Sequence, residues 1–269
     1  MQARPLVMGV LNVTPDSFFD GGRYFDRDAA IARGRQMVAE GADVIDVGGE
    51  STRPGADPVD EAEELRRVLP VVAALAKLAR VSIDTMKPSV AAAAVDAGAT
   101  LVNDVSASLA SVAAAAGVGL VVMHMQGTPK TMQDDPRYED VVREVHGALR
   151  AGAAAARAAG VEEVYVDPGI GFGKTLEHNL ALLGALPELV AAGEPVLVGT
   201  SRKSFIGRVL APPGAAPLPP AERFEGSLAS AVWAMAAGVA MVRVHDVAPT
   251  VHAARLVGRA ARRLGAARR

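Results

Sequence analysis

The chain is predicted to be an α/β protein, a (β/α)8 TIM barrel in a single domain spanning residues 1–269. Two observations carry this. First, eight apolar runs of strand length each stop at a polar or charged group, and a helix-like stretch follows. The stops are Asn12, Asp46, Asp84, Asn103, His124, Asp167, the Ser201-Arg202-Lys203 triplet, and Arg243 with His245. Second, the 269 residues match the roughly 250 of a typical barrel of this kind, whose site lies where the strands end. The strand ends therefore give a list of candidate site residues before any motif is considered.

The strands are expected over Leu6–Val10, Asp43–Val47, Val81–Ile83, Leu101–Val102, Leu120–Met123, Val164–Val166, Val196–Gly199 and Met241–Val244. Several are continuously apolar, as strands covered on both faces should be. The expected helices are Asp28–Glu40, Asp60–Ala79, Pro88–Ala97, Arg137–Ala159, Leu176–Ala192 and Val247–Leu264. The second is acidic early and basic late, matching the helix dipole. The third carries Pro at its start and Gly98 just after its end. Long loops follow the first two strands. The Pro-rich stretch from Ala211 to Pro220 reads as an exposed loop inside the seventh unit.

Bulk composition excludes several functions. Half the residues are hydrophobic and the net charge is −2, so nothing points to nucleic acid or a membrane as partner. Without cysteine the chain has no disulfide, no thiolate zinc site and no Cys nucleophile. Neither a signal peptide nor a membrane-spanning run is recognisable, so a cytoplasmic protein is expected. There is no His-Glu-x-x-His and no Gly-x-Ser-x-Gly, which argues against a zinc hydrolase and an α/β-hydrolase.

Four segments carry the chemistry. The loop from Asn12 to Gly22 contains Phe18 and Phe19 and suits a mobile lid. The loop Gly48-Gly-Glu-Ser-Thr-Arg-Pro-Gly55 offers hydroxyls and, in Arg53, a group suited to an oxyanion. Asp84, Asn103 and Asp167 end strands three, four and six, with Asp46 and Asp104 near them in sequence. Carboxylates crowd one mouth only if a cation or a donor-rich ligand compensates. Lys203, a divalent metal such as Mg²⁺, or the amidine edge of a pterin or guanine would each serve. Arg243 and His245 lie on one face of strand eight, where such barrels commonly bind phosphate, so a diphosphate is the obvious anion. An Arg243 buried against a carboxylate is the other reading. Asp167-Pro-Gly-Ile-Gly-Phe-Gly-Lys174 departs from the Walker A pattern; its glycines are expected to let the loop pass close to a flat ligand, with Phe172 as a wall. His146, His178 and His252 read as structural or surface residues.

Together with Met123-His-Met-Gln-Gly127, the segments Asn12-Val-Thr-Pro-Asp-Ser-Phe18, Gly41 to Ala56, Ser82-Ile-Asp-Thr85, Asn103-Asp104, Asp167 to Lys174, Ser201-Arg-Lys203 and Arg243-Val-His-Asp246 closely resemble the dihydropteroate synthase family. The resemblance runs from the first strand to the last. It implies a folate-pathway transferase that joins 4-aminobenzoate to (7,8-dihydropterin-6-yl)methyl diphosphate. Carried over by position, it implies that Asp84, Asn103, Asp167 and Lys203 read the pterin. Asn12, Arg53, Arg243 and His245 would take the diphosphate, with Mg²⁺ as cofactor at Asn12. Thr52, Pro54, Phe172 and Ser204 would line the aminobenzoate site. Asn12, Arg53, Lys203, Arg243 and His245 would carry the catalysis. The resemblance also implies a homodimer and binding of sulfonamide inhibitors. A related barrel that passes methyl groups from folates to a corrinoid is one alternative, though it has less use for Arg53 and the Arg243/His245 pair. A silent paralogue that only binds a pterin is another.

Overall fold

A computed structural model of the chain describes residues 4–14, 27–51 and 57–267, with side chains to residue 261. Eight parallel strands form the sheet: β1 (Leu6–Asn12), β2 (Val44–Gly48), β3 (Arg80–Asp84), β4 (Leu101–Asp104), β5 (Gly119–Met123), β6 (Val164–Asp167), β7 (Leu197–Val198) and β8 (Met241–Val244). Their order is β6-β5-β4-β3-β2-β1-β8-β7. A parallel bridge between Val166 and Val196 joins the two ends, and the Val166 amide donates to the Pro195 carbonyl at 2.9 Å. The sheet is thus nearly closed into a barrel, with the helices between its strands.

Helices α1 (Arg27–Glu40), α2 (Glu61–Leu75), α3 (Pro88–Asp96), α4 (Ala110–Ala116), α5 (Val141–Ala158), α6 (Leu176–Gly184), α7 (Leu186–Ala191), α8 (Ser204–Leu210), α9 (Phe224–Ala236) and α10 (Val247–Ala267) make the outer layer. Asp60 caps α2 by accepting from the Ala62 amide, and Asp140 caps α5 by accepting from Arg143. The second helix stops at Leu75, so Lys77 falls beyond it and the expected basic end is missing. The fifth starts at Val141 rather than Arg137, because the Asp140 cap sets its first turn. The single helix expected over Leu176–Ala192 is two, with Pro187 at the start of α7. The segment from Ala211 to Pro220 is an exposed connection between α8 and α9, as expected.

The core has two compartments. The larger lies between the barrel and its helices and is mostly Val, Leu and Ala. The smaller fills the barrel interior with Met8, Val44, Leu101, Val121, Tyr165, Leu197 and Met241. Side chains alternate along a strand, so a residue two positions on faces the same way. Two positions after Val44, Leu101, Tyr165 and Met241 come Asp46, Asn103, Asp167 and Arg243. The interior therefore changes from apolar to charged within one layer of side chains, and the charged layer lies toward the strand ends.

Candidate active site at the barrel mouth

The strand register sets the level of each mouth residue. Asn12 pairs with Gly48, Gly48 with Asp84, and Asp84 with Asn103. Asp167 pairs with Met123 across β5 and β6. Asp46 does not end its strand; β2 continues to Gly48 and carries Asp46 one level deeper. Arg243 crosses that interior. Its Nε donates to Asp46 Oδ2 and its Nη2 to Asp84 Oδ2, both at 2.6 Å. Asn103 Nδ2 donates to the same Asp46 oxygen at 3.1 Å. The buried-carboxylate partner weighed for Arg243 is thus present. A guanidinium has five N–H donors and these bonds use two, which leaves capacity for an anion.

Among the described residues three buried polar atoms lack a hydrogen-bond partner: Asp46 Oδ1, Asp84 Oδ1 and Ser82 Oγ. Buried acceptors are seldom left unmatched, so these mark where a donor-bearing ligand or water belongs. Burial pushes the Asp84 carboxyl up to about 7; the Arg243 charge opposes that, and the Asp46 and Glu64 charges add to it. Burial also raises Asp167, against the pull of Lys203. For Arg243 burial works against the charge, but Asp46 and Asp84 outweigh it and hold the guanidinium protonated.

Lys203 reaches the same space from the start of α8. Its ammonium donates to the Ile170 carbonyl and lies 4.5 Å from the centre of the Phe172 ring. Burial lowers it to about 8, with Asp167 opposing that and the Arg243 charge adding to it. The turn that delivers Lys203 is strained: Arg202 has φ 61°, a left-handed conformation few L-residues adopt. The amide of Arg202 donates to Ser227 Oγ, its carbonyl accepts from Arg223, and its guanidinium pairs with Asp246 at 2.8 Å. His245 lies just past β8, its Nδ1 3.0 Å from Ser201 Oγ. Ser204 opens α8 at the surface.

The β6 loop packs closely on the β5 loop. A Cβ on Gly169 would lie 1.9 Å from the His124 carbonyl oxygen, and one on Gly173 would lie 2.5 Å from the Gln126 carbonyl. These two glycines let the β6 loop approach the β5 loop closely. Lys174 completes the joint. Its ammonium contacts His124 Nδ1, the His124 carbonyl and the Phe172 carbonyl at 3.1, 3.3 and 2.9 Å. Burial, with the Lys203 charge, lowers Lys174 to about 7; burial, with the Lys174 charge, lowers His124 to about 4. His178 is structural, as expected: with Thr175 it closes a capping box on α6.

The loop after β2 is anchored at its base. Lys87 bridges Glu50 and the fully buried Glu64, whose other oxygen accepts from Thr85 at 2.7 Å. Arg67 donates to the Gly49 carbonyl at 2.9 Å. Thr52, Arg53 and Pro54, together with Phe18 and Phe19, lie outside the described residues. Asp104 turns away from the mouth and accepts from Ser106 and Leu109 ahead of α4. Among the described residues no group of three or more His, Asp or Glu side chains is placed to hold a metal. Sequence reasoning placed Asp46 near the cluster but gave it no part. Its spacing of two from Val44 and from Gly48 is the signal that puts it on the inner face. Nothing in the local sequence pairs Lys87 with Glu50 and Glu64.

These groups gather buried acceptors and two buried cations, Arg243 and Lys203, at one end of the barrel. The pterin binding enzyme family matches residues 8–245, and the chain belongs to that family. Within it, the chain is 50% identical over 261 residues to the dihydropteroate synthase of Mycobacterium leprae, covering 94% of this chain and 92% of that one. The Yersinia pestis dihydropteroate synthase, solved with a sulfonamide drug complex, superposes with a TM-score of 0.88 at 45% identity, covering 96% and 94%. The Xanthomonas albilineans dihydropteroate synthase with 4-aminobenzoic acid superposes at 0.86 and 46% identity, covering 94% and 92%.

Proposed function

We infer that the chain is a dihydropteroate synthase. It condenses 4-aminobenzoate with (7,8-dihydropterin-6-yl)methyl diphosphate, giving 7,8-dihydropteroate and diphosphate in folate biosynthesis. The observation that carries this is the orphaned acceptor Asp84 Oδ1, buried near Asn103, Asp167 and Lys203. A pterin supplies the donor it lacks. Its amidine edge brings N–H donors to the carboxylates and amide, and its ring carbonyl faces the Lys203 ammonium.

The diphosphate belongs at the rim, on Arg243 and His245, with Asn12 and Arg53 closing around it. In the reaction the methylene C–O bond breaks and diphosphate leaves with the electron pair. The aminobenzoate nitrogen bonds to that carbon and then gives up a proton. An aromatic amine is neutral near pH 7, so no strong base is required. Charge neutralisation of the leaving group and alignment of the two substrates supply the rate. Thr52, Pro54, Phe172 and Ser204 border the aminobenzoate, and sulfonamides occupy the same place.

Mg²⁺ fits this donor set as a substrate-borne ion. Such an ion keeps several waters and takes few protein oxygens, so Asn12 is the residue that would hold it. When bound, it would offset charge on the leaving group. The protein works in the cytoplasm as a single domain, which accords with a chain lacking cysteine and, among the described residues, any helix long and apolar enough to cross a membrane. A homodimer is supported by exposed Leu180, Val209, Leu210 and Trp233 on the adjacent helices α6, α8 and α9.

The test is turnover with both substrates, joined to a binding titration. Diphosphate release that depends on aminobenzoate is the expected result, and release without it, or none, rejects the reading. Aminobenzoate should bind weakly alone and tightly once pterin, diphosphate and Mg²⁺ are present, because the first two loops then close over them. Equal affinity in both conditions rejects that order. Methyl transfer to a corrinoid would select the alternative reading.

A further inference from the structure

The geometry points to Asp46 as a positioning residue that decides which atoms of Asn103 and Arg243 face the substrate, an inference that rests on the pterin-site reading above. Asp46 is fully buried, one level below the mouth. A single oxygen, Oδ2, accepts from both Asn103 Nδ2 and Arg243 Nε. These two partners come from β4 and β8, on either side of β2 around the barrel.

The consequence for Asn103 follows from donor and acceptor counting. An amide can present either its oxygen or its nitrogen to a ligand, and rotation by half a turn exchanges them. A carboxylate only accepts. With its nitrogen committed to Asp46, Asn103 leaves its carbonyl oxygen for the pocket, so it selects a ligand N–H. The consequence for Arg243 is similar. Nε is held by Asp46 and Nη2 by Asp84, so Nη1 takes part in neither bond and can serve an anion. One buried carboxylate thus sets the polarity of the ring site and the aim of the anion site.

The charge of Asp46 acts on a third group. Asp84 is faced by Arg243 from β8, Asp46 from β2, Glu64 from α2 and Lys203 from the start of α8. Asp46 repels the ionised form of Asp84. Neutralising position 46 therefore makes Asp84 easier to ionise, a change that a purely structural residue would not produce.

Asp46→Asn keeps the shape and removes both the charge and the acceptor-only character. Calorimetry with 6-hydroxymethylpterin, and separately with inorganic diphosphate, would be run on wild type, Asp46→Asn, Asn103→Ala and the double variant. Asp46→Asn should weaken pterin binding about tenfold, the scale of a buried hydrogen bond left unmatched. In the Asn103→Ala background the same change should add no more than about twofold, since residues that act as one unit are not additive. The acid limb of pterin binding should move to lower pH. Should Asp46→Asn melt early, Asp46→Ser, too short to reach either partner, takes its place. Unchanged pterin affinity, full additivity with Asn103→Ala, or an unmoved acid limb would each overturn the assignment. Wild type that binds pterin under these conditions keeps such a failure confined to Asp46; wild type that binds none removes the pterin-site reading, and this inference falls with it.

Discussion

Two arginine–carboxylate clusters sit at opposite ends of the barrel, and they differ in how completely they are satisfied. At the closed end Arg80, the first residue of β3, holds Glu163 through both oxygens, at 2.9 and 2.5 Å. The Tyr165 hydroxyl donates to the same carboxylate, and Thr100 receives what remains of the guanidinium. At the mouth Arg243 holds Asp46 and Asp84 through one oxygen each and leaves the other oxygen of both without a partner. Their acidities move in opposite directions. The Arg80 hydrogen bond keeps Glu163 below the usual carboxylate range, whereas burial raises Asp84 to about 7. The same residue types thus serve as a finished joint in one place and as an open valence in the other. Unmet hydrogen-bonding capacity, more than the presence of charge, separates a binding site from a structural pair.

Mutation should separate the ends most sharply at Asp84. Asp84→Ala removes an acceptor and leaves Arg243 with Asp46 alone, so pterin affinity should fall by about 2–3 kcal/mol, the cost of leaving buried donors unpaired. Calorimetry showing wild-type affinity in this variant would erase the distinction between the clusters. The pH dependence sharpens it further. Asp84 must be ionised to accept from the pterin, so binding is lost as pH falls below about 7. Lys203 must be protonated to donate, so binding is lost as pH rises above about 8. Pterin affinity should therefore peak between these values, with proton release on binding at the acid side. A flat profile from pH 5 to 9, measured in buffers of different ionisation enthalpy, would contradict it. The smallest effect belongs to the closed end. Arg80 and Glu163 are partly exposed, so Arg80→Ala should cost about 1 kcal/mol of stability or less and leave pterin affinity unchanged. A thermal melt and the same titration check both halves; a large loss of affinity would mean the floor is coupled to the site.

Much of the barrel was legible because its strands are covered on both faces and read as unbroken apolar runs. The helices were less uniform. The stretch that forms α4 is short and nearly all Ala, with no polar stripe to reveal a period. Helices α8 and α9 flank the Pro-rich connection, which obscured the seventh unit. Pro187 divides a stretch whose hydrophobic pattern runs on without a break. At the mouth the residue types were legible and their partners were not. Arg243 and Asp46 are 197 residues apart, and only strand register brings them together. A local rule did exist for Asp46, the spacing of two from Val44, but treating Asp46 as the stop of an apolar run concealed it. The Gly pattern before Lys174 was visible as a loop, while its packing against the neighbouring β5 loop depends on backbone positions that sequence spacing does not encode.

The apolar plug formed by Met8, Val44, Leu101, Val121, Leu197 and Met241 makes the barrel a cul-de-sac. A molecule seated on Asp84 has no rear exit. Entry and departure share one doorway, and whatever stands nearer the rim must clear before the deepest occupant can go. First in is then last out. With the pterin seated on Asp84 as inferred above, the product leaves whole with its pterin end last, and a new pterin waits for that seat to clear.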